Sequence, residues 1–157
     1  MQKLPMTAAG HSHMEAELRH LKSIERPAII RAISEARDHG DLSENAEYHA
    51  AKERQGWIES RILELEDKVS RADVIDVARL TGDQVKFGAT VKLEDEDSSE
   101  TLTYQIVGAD ESDIRSGRLS ITSPLARALI GKGEGDEVDV TTPGGSRTYK
   151  VVSVNFG

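Results

Sequence analysis

The chain has 157 residues, of which 37 % are hydrophobic and 4 % aromatic, a composition that favours a small core without a large buried ligand pocket. The formal net charge of −8 argues against autonomous binding to a polyanion, and the absence of cysteine excludes disulfides, thiol catalysis and thiolate metal sites. No apolar run approaches the roughly 20 residues of a membrane span, and the N-terminus lacks a signal-peptide core. We therefore expect a cytosolic protein.

The first half of the chain is predicted to form a helical hairpin. Thr7 is a suitable N-cap, and apolar residues then recur at helical spacing; they are Met14, Leu18, Leu21, Ile29, Ile30, Ile33 and Ala36. Pro27 predicts a kink or a register shift, because proline removes a helix hydrogen bond. Gly40 predicts the end of the first helix. A helix from about residue 8 to residue 38 would be about 45 Å long, which predicts a hairpin that protrudes.

The return helix has the pattern of an antiparallel coiled-coil seam. Its apolar residues alternate four and three apart; they are Ile58, Ile62, Leu65, Val69 and Ala72. The seam weakens towards the bend, where Ala46 and Ala50 replace large residues. This taper favours a working tip at the bend over a helix pair that serves only for oligomerisation.

The bend itself carries the sequence DLSEN, which brings Asp41 and Glu44 three residues apart. Two carboxylates at this spacing can converge on Mg²⁺, an ion that takes one or two carboxylates together with water and substrate phosphates. The same spacing is that of a capping box, in which Asp41 would accept from backbone amides at the helix start. Ser43 is an alternative cap that would leave both acids free. The residues alone leave these interpretations open.

Two basic residues lie close to the bend, Arg37 on the first helix and Lys52 on the second. Together they could face a phosphate backbone just behind the acids. The alternative is a solvated helix surface on which Lys52 pairs with nearby glutamates. The histidines do not form a metal set, because His11 and His13 are two residues apart and point to different sides of a helix.

The composition changes near residue 73, and we divide the chain into residues 1–75 and 76–157. Strand patterns occur at 74–77, 87–94, 101–108, 136–142 and 147–154, and PGGS at 143–146 predicts a hairpin turn. A short helix is predicted after Ser123 as N-cap, with Pro124 at its first position and Gly131 or Gly133 at its end. The predicted fold class is α+β, a helical coiled-coil hairpin followed by an antiparallel sheet with one short helix.

Several segments together resemble the bacterial Gre transcript-cleavage factors, and the GreA branch more than the GreB branch. They are EARDHGDLSENAEYHAAKE, VIDV, FGATV, YQIVG, SPLARALIGK and TPGG. The resemblance spans essentially the whole chain. It implies an N-terminal antiparallel coiled coil and a C-terminal domain with the FK506-binding-protein type of fold, in agreement with the elements predicted above.

The resemblance further implies an accessory factor of bacterial RNA polymerase that is not an enzyme by itself and that we expect to be a monomer. Its hairpin would pass through the polymerase secondary channel to the nascent RNA 3′ end of a backtracked complex and stimulate the polymerase's own cleavage of that RNA. Asp41 and Glu44 match the family's catalytic tip acids, expected to share a second Mg²⁺ with the polymerase. Arg37 and Lys52 match part of its RNA-binding basic patch. The polymerase-docking element corresponds to Ser120, Ile121, Thr122, Ser123 and Pro124.

Three other functions are alternatives to this expectation. A relative that occupies the same channel but modulates polymerase without cleavage would differ chiefly at the tip, where DLSEN has the cleavage-competent form. A prolyl-isomerase or peptide-binding module would need an aromatic-lined basin, for which the second half offers Phe87, Phe156, Tyr104 and Tyr149. A plain coiled-coil dimeriser would show a concentration-dependent mass. The docking element also departs from some family members, because Ser120 and Thr122 stand where those members carry an acid.

Overall fold

The computed structural model describes residues 2–40 and 45–156. The chain divides into two compact units, a helical unit of Met1–Gln2 and His11–Ala72 and a β-rich unit of Lys3–Gly10 and Asp73–Gly157. The predicted α+β class is confirmed. Within the described ranges, no helix is long and apolar enough to cross a membrane.

The first half of the chain is helical, as predicted. Helix α1 spans Ala8–His20, a π-helical turn spans Leu21–Glu25, α2 spans Arg26–Arg37 and α3 spans Ala46–Ser70. The hydroxyl oxygen of Thr7 accepts the N–H of Gly10 at 3.1 Å, which confirms Thr7 as the cap of α1. Gly40 follows the end of α2 with φ +113°, a conformation that favours glycine at a helix stop.

The π-helical turn ends two residues before Pro27 and is the predicted register shift. The N–H of Arg26 donates to the carbonyl of Leu21, five residues back instead of four. Pro27 has no N–H, so the carbonyl of Ser23 cannot receive an α-helical bond from it. The shift therefore occurs where one α-helical hydrogen bond is lost in any case.

Helix α3 buries an apolar stripe against the preceding helices. Ile58, Ile62 and Leu65 are fully buried, as their spacing predicts for a helix face that packs against other helices. The buried residues on the earlier helices and the π-helical turn are Met14, Leu21, Ile33 and Ala36. Side chains three and four apart lie on one face of a helix, and this is why the sequence period located the stripe.

Three details of the predicted stripes are wrong. Ala72 is not part of the helical seam, because α3 ends two residues before it and Ala72 begins a strand. Ile30 is 52 % exposed, because it lies beside the buried face of Ile33 and Ala36, about 90° around α2 from the centre of that face. Near the bend, Ala46 and Ala50 are exposed and the buried alanine is Ala51, seven residues before the first large seam residue.

Paired charges on either side of the stripe set the alignment of the helices. Two arginines each bind a glutamate carboxylate through two hydrogen bonds. Arg26 donates to Glu59 at 2.8 and 2.8 Å, and Arg61 donates to Glu17 at 2.8 and 2.9 Å. These bonds lower the pKa of Glu17 and of Glu59 below the ordinary glutamate value. Because all four side chains remain partly exposed, they contribute more to helix register than to stability.

The second half of the chain supplies most of the β structure. Strand β1 spans Leu4–Thr7, β2 Ala72–Ile75, β3 Thr90–Asp95, β4 Thr101–Val107, β5 Arg118–Ser120, β6 Glu137–Thr142 and β7 Gly145–Asn155, and helix α4 spans Pro124–Leu129. Strands β1 and β2 pair with each other, and the larger sheet has the order β5-β4-β3-β7-β6. The hairpin turn predicted at PGGS joins β6 to β7, with Thr142 opposite Gly145.

The prediction of a purely antiparallel sheet is wrong. Strand β5 pairs parallel to β4, with Gln105 opposite Arg118 and Val107 opposite Ser120, so the sheet is mixed. Strand β5 has three residues, too few for a period of two to be recognised. The other contacts of the sheet, β3 with β4, β3 with β7 and β6 with β7, are antiparallel as expected.

One face of the mixed sheet is covered by α4. Ala126 and Leu129 of this helix are fully buried, and the carbonyl of Lys132 accepts the N–H of Val85 at 2.7 Å just beyond the helix end. The core of the unit consists of Val85, Ala89, Val91, Leu93, Ile106, Leu119, Ala126, Leu129, Val138, Val140, Val151 and Val154. This packing holds the loop between β5 and α4 in a defined position.

A single carboxylate ties the N-terminal segment 3–10 into the β-rich unit. Oε2 of Glu111 accepts the N–H of Thr7 and the N–H of Gly108, each at 3.0 Å, and Oε1 accepts the Thr7 hydroxyl. Thr7 is 8 % exposed. A Cβ added at Gly10 would lie 2.2 Å from the Glu111 carboxylate, so glycine is required there for this close approach.

Candidate functional site

The turn between α2 and α3 is flanked by Gly40 and Asn45. The predicted tip acids, Asp41 and Glu44, and the alternative cap Ser43 lie outside the described residues. The structure describes the residues immediately before and after them, and it is these that define the base of the turn.

Asn45 is the N-cap of α3. Its Oδ1 accepts the N–H of Tyr48 at 3.0 Å, and its backbone is extended, with φ −84° and ψ 96°. The capping alternatives considered for Asp41 and Ser43 are therefore wrong for this helix, because the cap position belongs to Asn45. The preference for Asn at helix caps is the sequence signal for this position.

The Asn45 side chain also reaches the other side of the turn. Its Nδ2 donates to the carbonyl of Ala36 at 2.7 Å, across nine positions of sequence. Ala36 is buried near the end of α2, one residue before Arg37. One carboxamide thus binds both the last turn of α2 and the first turn of α3.

Arg37 and Lys52 are both exposed and follow buried residues, Ala36 and Ala51. Helices α2 and α3 run antiparallel. In such a pair, the residue that follows one buried against the partner helix lies on the same side of the hairpin in both helices. The two cations therefore share one side. They are separated by about 12 Å along the axis, the rise of six residues from Asn45 to Ala51 and of one further residue on each helix. The Nζ of Lys52 lies 3.3 Å from Oε1 of Gln55. The alternative pairing of Lys52 with glutamates is not observed within the described ranges.

The predicted docking element is a compact loop from the end of β5 to the start of α4. The Ser123 hydroxyl accepts the N–H of Ala126 at 3.2 Å and donates to the carbonyl of Ser120 at 2.7 Å, which confirms Ser123 as the cap of α4. The hydroxyls of Ser120 and Thr122 lie 2.7 Å apart. Pro124 occupies the first helical position and is exposed.

Ile121 attaches this loop to the sheet and the core. Its N–H donates to the carbonyl of Val107 at 2.9 Å, and its side chain packs against the core. The loop therefore presents Thr122 and Pro124 outwards on a rigid base. Such a surface suits contact with another protein, since its position does not depend on the partner.

The described residues contain no group of three or more His, Asp or Glu side chains that could hold a metal ion. A shallow cavity of about 280 Å³ in the β-rich unit is lined by Asp83, Gln84, Gly131, Gly133, Glu134 and Asp136. These residues are polar or glycine, and an aromatic basin for peptide or proline binding needs a different lining.

Comparison with known proteins identifies the family over both halves. A family of transcription elongation factor N-terminal domains matches residues 4–74, and the family of GreA/GreB transcription elongation factor C-terminal domains matches residues 80–156. The chain is 64 % identical to the transcription elongation factor GreA of Rhodospirillum rubrum over 157 residues, which is 100 % of both chains. It is 62 % identical to GreA of Phenylobacterium zucineum over 156 residues, 99 % of both.

Among solved structures, the chain is similar to GreA factor homolog 1 of Thermus thermophilus, with 29 % identity, a TM-score of 0.45 and coverage of 98 % of this chain and 99 % of that one. The two matched domain families and the full-length identity to the GreA proteins carry the assignment. The chain belongs to the GreA/GreB family of transcription elongation factors.

Proposed function

We propose that this protein binds RNA polymerase through its secondary channel and stimulates the polymerase's intrinsic cleavage of backtracked nascent RNA, which releases arrested complexes. The observation that carries the proposal is the acidic motif DLSE in the turn between two antiparallel helices, in a chain that belongs to the GreA/GreB family. The protein acts as an accessory factor, and the bond is cleaved in the polymerase active centre.

The tip acids supply oxygen ligands to that centre. Asp41 and Glu44 are carboxylates three residues apart, and their donor set suits Mg²⁺, which takes oxygen ligands from one or two carboxylates together with water and phosphate. When bound, a second Mg²⁺ activates water and stabilises charge in the in-line displacement. Asp41 and Glu44 would hold and orient this ion through their carboxylate oxygens.

Arg37 and Lys52 guide the RNA. Their shared side of the hairpin offers two positive charges behind the acids, and cations of this kind position a nucleic-acid backbone without reading its sequence. The patch is small, in keeping with a net charge of −8, because most of the binding energy comes from contact with the polymerase.

The β-rich unit docks on the polymerase through Ser120, Ile121, Thr122, Ser123 and Pro124. The rigid base and outward-facing Thr122 and Pro124 support this role. We assign this unit the FK506-binding-protein type of fold, supported by the sheet covered by α4, and the helices the antiparallel coiled-coil form, supported by the buried stripe of α3.

The direct test uses purified bacterial polymerase halted in a backtracked complex with labelled RNA. Adding the protein should shorten the RNA from its 3′ end and allow elongation to resume. Binding to polymerase without any shortening would overturn the cleavage function and favour a regulator that occupies the channel. No binding at all would reject both functions.

Charge reversal of the basic pair should weaken contact with the RNA 3′ end. In the variant Arg37→Glu with Lys52→Glu, two attractions to phosphate become repulsions, so photo-crosslinking of a 3′-terminal RNA probe to the hairpin should fall about tenfold. Glu53→Lys serves as a control for charge changes on the same helix and should not reduce crosslinking. An unchanged crosslink in the double variant would restore the interpretation of a solvated surface.

Replacing Pro124 by Ala should weaken docking by about five- to tenfold in a competition assay for polymerase, because an exposed rigid contact at the loop is lost. Lys92→Ala, on the exposed side of β3, serves as a control with unchanged affinity. The melting temperature is measured alongside, since Pro124 also starts α4. Full affinity with a native melting curve would contradict the docking assignment.

A further inference from the structure

The Asn45 carboxamide makes two hydrogen bonds of opposite polarity at the base of the acidic turn. Its oxygen accepts from the N–H of Tyr48 at 3.0 Å, and its nitrogen donates to the carbonyl of Ala36 at 2.7 Å. Serine, threonine and aspartate can cap a helix as acceptors. Only a carboxamide combines that acceptor with an N–H donor at the same short reach.

The bond to Ala36 is not needed to satisfy its carbonyl. The N–H of His39 already donates to this oxygen at 3.2 Å. The contact from Asn45 is additional, and its effect is to join the end of α2 to the start of α3. Ala36 and Asn45 are the two residues that flank segment 37–44, which contains Arg37, Asp41 and Glu44.

We propose that Asn45 is a positioning residue that holds both ends of segment 37–44 together and thereby pre-organises the two tip carboxylates for a shared ion. This inference rests on the proposed function. Glu44 is covalently adjacent to Asn45, so the backbone that carries its carboxylate starts from a point fixed by two hydrogen bonds. A ligand pair that is already aligned loses less conformational entropy when it binds an ion.

A series at one position separates the two bonds. Asn45→Ser keeps a helix cap but is too short to reach Ala36, and Asn45→Asp keeps the cap and size but replaces the donor by an acceptor. Asn45→Ala removes both bonds. In stimulated cleavage by polymerase, the Ser and Asp variants should each require about tenfold more Mg²⁺ for half-maximal rate. Affinity for polymerase should be unchanged, since the docking loop lies in the β-rich unit.

The Asp variant also tests the effect of charge. It places a third carboxylate next to the acidic pair, and charge alone would lower the Mg²⁺ requirement. A higher requirement in this variant therefore reports lost alignment.

A second measurement needs no polymerase. In the free protein, the Ser variant should leave amide hydrogen exchange at Tyr48 near the native rate and accelerate exchange at His39 and Gly40 at least threefold. The Ala variant should accelerate all three.

The inference would be overturned if both the Ser and the Asp variants kept the native Mg²⁺ requirement, or if only the Asp variant required more Mg²⁺. A loss of polymerase affinity that accompanied the raised Mg²⁺ requirement would overturn it too. Unchanged exchange at His39 and Gly40 would overturn it as well. If the unmodified protein stimulates no cleavage, the proposed function fails instead, and the exchange rates still decide whether Asn45 ties the turn.

Discussion

The variant Asp41→Asn with Glu44→Gln should bind RNA polymerase with native affinity and lose stimulated RNA cleavage by about 100-fold or more. Both substitutions keep the size and polarity of the side chains and remove their charge. A neutral amide oxygen is a much weaker ligand for Mg²⁺ than a carboxylate, so the variant cannot help to hold the ion in the transition state. The docking loop is untouched, and this is why binding should persist.

The measurement is the single-turnover rate of RNA cleavage in a backtracked complex. The protein is added at a saturating concentration, so that the rate does not depend on its affinity for polymerase. Asp38→Asn is the control for the loss of a carboxylate near the turn, because it removes one negative charge from an exposed position at the end of α2, three residues before Asp41. We expect this control to remain within about twofold of the native rate. Native cleavage by the double variant would reject the metal role of the tip.

The second large effect is on stability. Replacing Glu111 by Ala should lower the free energy of unfolding of the β-rich unit by about 3 kcal/mol. The substitution leaves the N–H groups of Thr7 and Gly108 and the Thr7 hydroxyl without their acceptor. Thr7 is buried, so water replaces the lost carboxylate poorly. The N-terminal segment should then detach from the unit more readily.

Unfolding of the two units can be followed separately. Trp57 is the single tryptophan and lies on α3, so its fluorescence reports on the helical unit. Amide exchange at Ile106 and Val91 in the larger sheet reports on the β-rich unit. Glu100→Ala, an exposed glutamate of the same unit, should change neither signal by more than about 0.5 kcal/mol.

The variant Glu111→Gln refines the interpretation. It keeps one acceptor oxygen but turns an amide NH₂ towards a donor, so its loss of stability should lie between those of the native protein and the Ala variant. If amide exchange at Ile106 stays native in the Ala variant, the hydrogen bonds of the Glu111 carboxylate contribute nothing to the stability of the β-rich unit.

The helical half was largely predictable, because its signals are local. The three-and-four spacing of Ile58, Ile62 and Leu65 located the buried stripe, and Pro27 located the register shift. Ser123 followed by Pro124 marked the start of α4 for the same reason, since capping depends on residues within one turn. The exposed Ile30 was not predicted, because an apolar residue beside a stripe cannot be distinguished from a member of it by period alone.

The β topology was less accessible. Strand β1, at the N-terminus, pairs with β2 some 65 residues later, and β5 joins the sheet in parallel although its three residues have no visible period. Which strands become neighbours depends on contacts distant in sequence, and local composition does not encode them. The predicted antiparallel sheet was therefore correct only for the strands that follow one another as hairpins or close the sheet with β7.

By itself, the sequence determined the family of this protein and predicted its candidate site, because the acids, the cations and the proposed docking loop occupy short contiguous motifs. Only the tertiary structure decided how those motifs are held. Asn45 meets Ala36 across nine positions and Glu111 meets Thr7 across 104, and such hydrogen bonds exist only once packing has brought the partners together.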